Sequence, residues 1–368
     1  MDALILSCST GGGHNAAGSA IKEELTRRGH HVEMFDPYAL IGSGLEATVG
    51  NSYIRTAQKA PLLFGLIYLL GEIVRKIPLR SPVYHINRLM IRPMRRYLSA
   101  HHYDVIVMPH LFPAEIMTAM KYHGEQIPKT VFIATDYTCI PFTEETTCDY
   151  YIIPGEELEP VFARRQIRNA SVVPLGIPVH PSFTDPLTRE DAVRELGLDR
   201  KKHYILVAGG SIGAGKLSKA IEILYDYFRT DPETELVVLC GNNEKLYKKL
   251  NSAYRDKLIL LKSTTRMAAW LKVCDLFISK PGGLSSTEAA VAGIPLIHIS
   301  PIPGCEFMNL RYFKKHGMSI PVWDLRHQLI PAVRRLQEQE SISGMQKNQK
   351  KIINGQSCAQ ICDLLEQL

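Results

Sequence analysis

Short apolar runs that recur between longer, helix-patterned stretches constrain this chain of 368 residues more than any other feature. Residues 3–9, 31–35, 104–108, 130–135, 150–153 and 171–174 form one set, and 203–208, 235–240, 257–262, 275–279 and 295–299 a second. Runs of this length, rich in β-branched residues and bounded by turn residues, read as strands. They are apolar on both faces rather than alternating, as parallel strands are when helices cover each side of a sheet. The expected fold class is therefore α/β, with two doubly wound domains. The break between them falls at VPLGIPVHPSFTDP, where Pro174, Pro178, Pro181 and Pro186 cannot sit inside a helix or a central strand. The length exceeds what one core usually serves, and each half is long enough to bury its own.

Composition excludes several classes. With 45% hydrophobic and 22% charged residues the chain is neither disordered nor fibrous. Its eight cysteines form no CxxC pair and several lie inside apolar runs, which points to a reducing cytoplasm. The N-terminus enters a strand with no basic lead, so no secretory signal is expected. The longest weakly polar or apolar stretch, Pro61 to Gly71, is shorter than the ~20 residues a membrane span needs. The net charge of +6 is unevenly placed. Between Ile73 and Tyr103 there is no Asp or Glu, while Arg75, Lys76, Arg80, Arg88, Arg92, Arg95 and Arg96 all fall there. That segment is either a solvated basic helix after a core helix or a face for an anionic surface. It carries no recognisable nucleic-acid reading motif, so no nucleic-acid partner is expected.

Three glycine-rich turns each follow a strand and open a helix. In SCSTGGGHNAAG, free backbone N–H groups at the helix mouth favour an anionic or electron-rich group, and His14 stands beside Gly12 and Gly13. Gly11-x-Gly13-x-x-Ala16, with Asp36 further on, also fits the loose dinucleotide fingerprint, so an NAD-linked oxidoreductase is the rival of another class. In AGGSIGAGKL, Gly210 to Lys216 resembles a P-loop, but Leu217 stands where a metal-binding hydroxyl is required. Gly210, Ser211 and Gly213 can still cradle phosphate oxygens. In SKPGGLSSTEAAVAG, Ser285, Ser286 and Thr287 bring hydroxyls to a helix start and Glu288 an acceptor for a sugar diol; the plain alternative is an ordinary N-cap. The last two turns belong to the second domain and would meet at the carboxyl ends of its strands, where one nucleotide diphosphate could use both.

The segments STGGGHNAAGSAI, TDYT, GIPVHPSF, CGNN, TTRMAAWLKVCDLFISKPGG with STEA, and PIPGCEFMN occur in this order. Together they resemble the monogalactosyldiacylglycerol synthases and processive diacylglycerol glucosyltransferases, inverting GT-B enzymes grouped with the lipid-linked N-acetylglucosaminyl transferase of peptidoglycan synthesis. The resemblance implies two Rossmann-like domains facing a central cleft. Residues 1–178 would hold the lipid acceptor and the membrane, 179–345 a UDP-sugar, and the helical segment 346–368 would cross back to the first domain. By the same resemblance the donor diphosphate meets Gly210, Ser211 and Gly213, and the uracil packs near Arg266 and Met267. Gly282, Gly283 and Thr287 meet phosphate, Glu288 the ribose, and Glu306 with Asn309 the sugar. Two departures stand out: Cys305 occupies the place of a family Gln, and YTCIPF follows Thr135-Asp136 where relatives often carry a His and a Trp.

Inverting transfer needs a base for the acceptor hydroxyl and stabilisation of the departing diphosphate. His14 has the proton affinity for the first task, and Asp136 either orients it or is itself the base. His110 in VIVMPHLF is a third candidate, with a hydrogen-bonded strand-end histidine as its plainer reading. No aspartate pair has D-x-D spacing, so glycine amides and helix N-termini are expected to carry the leaving-group charge with no obligatory metal. The expectation is a cytoplasmic enzyme, peripheral on the inner face of the cell membrane, that moves a hexose from a UDP-sugar to diacylglycerol or a related lipid. N-acetylglucosaminyl transfer to a polyprenyl-linked lipid is the rival within the class.

Overall fold

The computed structural model describes residues 1–8, 12–41, 80–165, 167, 171–210 and 216–368. Arg75, Lys76, Ser211, Gly213, Gly11 and the stretch Pro61 to Gly71 lie outside them. The chain divides into two compact units, one of Met1–Pro181, Pro303–Cys305 and Asn354–Leu368, the other of Ser182–Ile302 and Glu306–Ile353.

In the first unit the strands are β1 (Asp2–Leu6), β2 (His31–Phe35), β3 (Val105–Met108), β4 (Lys129–Ile133), β5 (Tyr150–Ile152) and β6 (Val172–Val173). Its helices are α1 (Gly12–Arg27), α2 (Pro82–Asn87), α3 (Ile91–Ala100), α4 (Leu111–Tyr122) and α5 (Glu159–Ala163). The second unit contains α6 (Arg189–Leu196), β7 (His203–Ala208), α7 (Leu217–Phe228), β8 (Thr234–Leu239), α8 (Glu244–Ala253), β9 (Ile259–Leu261), α9 (Met267–Val273) and β10 (Leu276–Ser279). It continues through α10 (Gly283–Ala292), β11 (Leu296–Ile299), α11 (Cys305–Lys315), β12 (Ile320–Val322), α12 (Leu325–Arg335) and α13 (Gln339–Ile352). A last helix, α14 (Ser357–Leu365), belongs to the first unit.

Both sheets are six-stranded, in the orders β2-β1-β3-β4-β5-β6 and β12-β11-β10-β7-β8-β9, and every pairing is parallel. The eleven apolar runs of the sequence all coincide with strands. The twelfth, β12, was not expected, because Pro321 interrupts a run of only three residues. An edge position tolerates it: β12 pairs with β11 alone, so a missing N–H costs no second ladder.

The first core is built on one face of these strands, with Ala3, Ile5, Val105, Val107, Val131 and Ile133 all fully buried. Helix α1 closes one face through Ala20, Ile21 and Leu25, and α14 adds Ile361, Cys362 and Leu365 to the same cluster. A polar seam fixes α14 on α1. Arg28 donates to Glu24 at 2.9 Å, to Asp363 at 2.6 Å and to the Ala359 carbonyl at 3.0 Å. The hydrogen bond from Arg27 holds the Glu24 carboxyl below its ordinary range, against burial, which raises it.

In such sheets ligands collect outside the carboxyl ends of the strands where strand order reverses. That point lies between β1 and β3 in the first unit and between β7 and β10 in the second. The turns after those four strands border these two points.

Candidate active site

At the first reversal, His14 sits in the opening turn of α1, just past Gly12 and Gly13. Its Nδ1 lies 2.9 Å from the Pro109 carbonyl, at the end of β3, and 2.9 Å from Thr135 Oγ1, after β4. A carbonyl oxygen only accepts, so Nδ1 carries the proton and Nε2 keeps its lone pair. His14 is thus presented as a base through Nε2. Enclosure lowers its proton affinity below the ordinary 6.5, while Asp136 and the Pro109 carbonyl oppose that shift. Asp136 lines the same small cavity, about 10 Å³ and large enough for one water, together with Pro109, Ala134, Thr135 and Thr138. Its carboxylate acts on His14 through space, whereas the hydrogen bonds that aim the ring come from Pro109 and Thr135.

His110 packs edge-on against His14, with ring centroids 4.5 Å apart. Its Nδ1 accepts the Phe112 N–H at 3.1 Å and caps α4. Burial, with His14 beside it, pushes its pKa well below 6.5, so the ring is neutral. With one nitrogen committed to the cap and the other protonated, His110 holds no lone pair for the reaction. The plainer reading of His110, a hydrogen-bonded histidine at a strand end, is the one the geometry supports. Asp36, the acid of the dinucleotide fingerprint, accepts the Tyr38 N–H at 3.0 Å and so caps a local turn.

At the second reversal, Gly210 has φ +67°, a conformation that favours glycine. Gly282 is the N-cap residue of α10 and makes no side-chain cap hydrogen bond. Two of the three hydroxyls expected at this helix start are engaged elsewhere. Thr287 Oγ1 donates back to the Gly283 carbonyl at 2.8 Å and is 1% exposed. Ser286 Oγ is 3.0 Å from His298 Nε2, whose Nδ1 meets Ser319 Oγ at 2.9 Å. Burial pushes His298 down to about 3, so this relay is neutral and pins the first turn of α10 to β11. Glu288, half-buried, has no hydrogen-bond partner among the described residues, and burial pushes its carboxyl up to about 8.

The first turn of α11 completes this centre. Glu306 Oε1 pairs with Lys280 Nζ, its Oε2 accepts the Ile302 N–H at 2.8 Å, and Asn309 Nδ2 donates to the Pro281 carbonyl at 3.0 Å. Lys280 was missed from the sequence, where its one signal is a lysine between a strand and a glycine turn. Arg266 is exposed, with its guanidinium on the Glu195 carbonyl at 2.9 Å, and Met267 beside it is half-buried at the start of α9. Among the described residues no group of three or more His, Cys, Asp or Glu side chains could hold a metal ion.

The model of the monogalactosyldiacylglycerol synthase family matches residues 14–179, and that of the glycosyltransferase family 28 C-terminal domain matches residues 204–360. The chain belongs to the family of monogalactosyldiacylglycerol synthases and processive diacylglycerol glucosyltransferases. A processive diacylglycerol beta-glucosyltransferase of Bacillus pumilus is 24% identical over 95% of this chain and 90% of its own length. A probable chloroplastic monogalactosyldiacylglycerol synthase of Glycine max is 27% identical over 85% of this chain and 61% of its own length. Among solved structures, MurG of Acinetobacter baumannii superposes with a TM-score of 0.62 at 15% identity, covering 100% and 99% of the two chains. The S. aureus MnaA structure with UDP gives 0.65 at 10% identity, covering 100% and 96%. These likenesses establish a two-domain GT-B fold.

The basic segment lies within the first matched region, and the structure sorts its described cations. Arg80 stacks on the Tyr84 and Tyr122 rings at 4.7 and 4.8 Å and donates to the Glu145 carbonyl, so it braces the fold. Arg95 pairs with Glu125. Arg88, just after α2, and Arg92 and Arg96 on α3 stand exposed, in the stretch where Ile86 and Leu89 are 60% and 74% exposed. No helix among the described residues is long and apolar enough to cross a membrane.

Proposed function

We propose that this protein is a peripheral membrane glycosyltransferase that moves a hexose from a UDP-sugar to diacylglycerol with inversion. The observation that carries the reading is full-length similarity to relatives named for diacylglycerol, including a glucosyltransferase matched over 95% of this chain. The residues supply chemistry that fits. His14, with Nδ1 committed to Pro109, takes the acceptor hydroxyl proton at Nε2, and the Asp136 carboxylate stabilises the imidazolium that forms. In the second unit, the N–H groups at Gly210 and at the Gly282-Gly283 helix start receive the diphosphate, which lowers the cost of its departure. Glu288 accepts from the ribose, and Glu306 with Asn309 borders the sugar. Ser211, Gly213, Arg266 and Met267 complete the proposed donor set. Metal plays no obligatory part in this scheme.

The membrane side of the reading rests on Arg88, Arg92 and Arg96 for anionic headgroups and on Ile86 and Leu89 for shallow insertion. The deciding experiment offers each radiolabelled UDP-sugar with diacylglycerol in anionic vesicles, with and without EDTA, and separates the labelled lipids. Labelled glycosyl-diacylglycerol of inverted anomeric configuration is expected, unaffected by the chelator. Label on a polyprenyl-linked acceptor offered in parallel but none on diacylglycerol, or none on any lipid, would overturn the reading.

A further inference from the structure

Strand order places Lys280, the residue after β10, against Gly210 in the turn after β7. A Cβ at residue 210 would lie 2.6 Å from Lys280 Cε, so glycine leaves the room through which the lysine stem runs. The stem ends on Glu306, and the two side chains are only 12% and 9% exposed. An ammonium and a carboxylate withdrawn this far from water are costly unless paired and hydrogen-bonded, and here both conditions are met.

The pairing also shapes what Glu306 offers. A carboxylate has about four lone-pair directions, two on each oxygen. Lys280 Nζ takes one on Oε1 and the Ile302 N–H takes one on Oε2. One direction remains on each oxygen, and a pair of neighbouring hydroxyls can use one on each. Asn309, one helical turn on, holds the Pro281 carbonyl and so fixes the Lys280 turn from the same helix.

We propose that Lys280 is a positioning residue for donor recognition, which holds Glu306 as an anionic, two-pronged acceptor for a vicinal hydroxyl pair of the transferred sugar. The inference rests on the UDP-hexose reading above and adds the group that keeps the sugar contact charged and aimed. It separates two tasks at one crevice, since backbone amides serve the diphosphate while the buried lysine serves the sugar through the glutamate.

The test compares Lys280→Met, Lys280→Arg, Glu306→Gln and the Lys280→Met/Glu306→Gln double variant of the full chain. Affinities for UDP and for the UDP-hexose are measured by calorimetry, alongside transfer kinetics. In Lys280→Met, UDP affinity stays within about threefold while UDP-hexose affinity falls by about tenfold or more, with a matching rise in KM. Lys280→Arg recovers part of the loss by restoring the cation. The double variant, which buries no unpaired charge, folds and is no weaker than Glu306→Gln, because the lysine acts only through the glutamate. Equal weakening of UDP and UDP-hexose in Lys280→Met would overturn the proposal by placing the lysine on the diphosphate, as would multiplicative losses in the double variant. A wild-type chain that binds no UDP would overturn the donor reading itself, an outcome distinct from both.

Discussion

Donor affinity should depend on pH through one side chain. Glu288 stands in the first turns of α10, and burial pushes its carboxyl up to about 8. Below that pH the free site holds a neutral acid; above it, a carboxylate. If the ribose hydroxyls are bound by the carboxylate, apparent affinity scales with the ionised fraction, and binding to the neutral form must first release a proton. With a pKa of about 8, roughly 1% of the sites are ionised at pH 6 and half at pH 8. Affinity should therefore rise about fifty-fold over that interval, equivalent to about 2 kcal/mol. A UDP-sugar is the proper ligand, because its diphosphate diester has no group that titrates in this range. Calorimetry at pH 6, 7 and 8 in buffers of different ionisation enthalpy gives both the affinity and the proton count, and close to one proton should leave on binding at pH 7. Glu288→Gln should bind weakly at every pH and release none. A wild-type affinity that is flat from pH 6 to 8, or a slope that survives in Glu288→Gln, would refute the reasoning.

Three further outcomes are expected. His14→Ala should lower single-turnover transfer by about 10²- to 10⁴-fold while leaving UDP-sugar affinity unchanged. Because the folded site holds the His14 pKa below 6.5, the neutral base persists at neutral pH and is lost as pH falls through that lowered value. The acid limb of the rate profile should lie below 6.5, and Asp136→Asn, which removes an opposing influence, should move it lower still; a limb above 6.5 would exclude His14. Replacing Arg88, Arg92 and Arg96 with Gln should cost about 1 kcal/mol per residue in binding to anionic vesicles and spare activity on a detergent-solubilised acceptor; equal losses on both would point to damage at the site instead. Ile361→Ala, which empties a fully buried position where α14 meets the first sheet, should lower stability to urea by about 2–5 kcal/mol. A cost under about 1 kcal/mol would mean that α14 adds little to that core.

Strands were legible because each is a local apolar run, and β1 to β11 all stand where the sequence put them. The exception, β12, depends on its place at a sheet edge, which no local pattern encodes. His14 and Glu288 were legible from residue type and helix position. What aims His14 was not: its partners Pro109 and Thr135 lie 95 and 121 residues away, and only the β2-β1-β3-β4 order brings them together. Lys280 was hidden for the same reason, since its neighbour Gly210 is adjacent only after β10 has paired with β7. Charge counting treated Arg80 and Arg95 like Arg88, Arg92 and Arg96, although Glu145 and Glu125, lying beyond the acid-free segment, engage the first two. Thr287 likewise offers its hydroxyl on a sequence, while helical geometry lets it bond its own preceding turn.

The attachment of α14 to α1 sets an order of events during synthesis. Arg28 meets Asp363 across 335 residues, and Ala20, Ile21 and Leu25 share a cluster with Ile361 and Leu365. The first unit therefore begins to form early but carries an uncovered apolar strip until residues 357–365 leave the ribosome, by which time the whole second unit has been made. The second unit can fold while the first waits. Joining ends so far apart adds little closure entropy, because that cost grows only with the logarithm of length, but it leaves the strip exposed for as long as the intervening chain takes to emerge. A nascent chain stalled before residue 357 should hold general chaperones at that strip and let them go once α14 emerges.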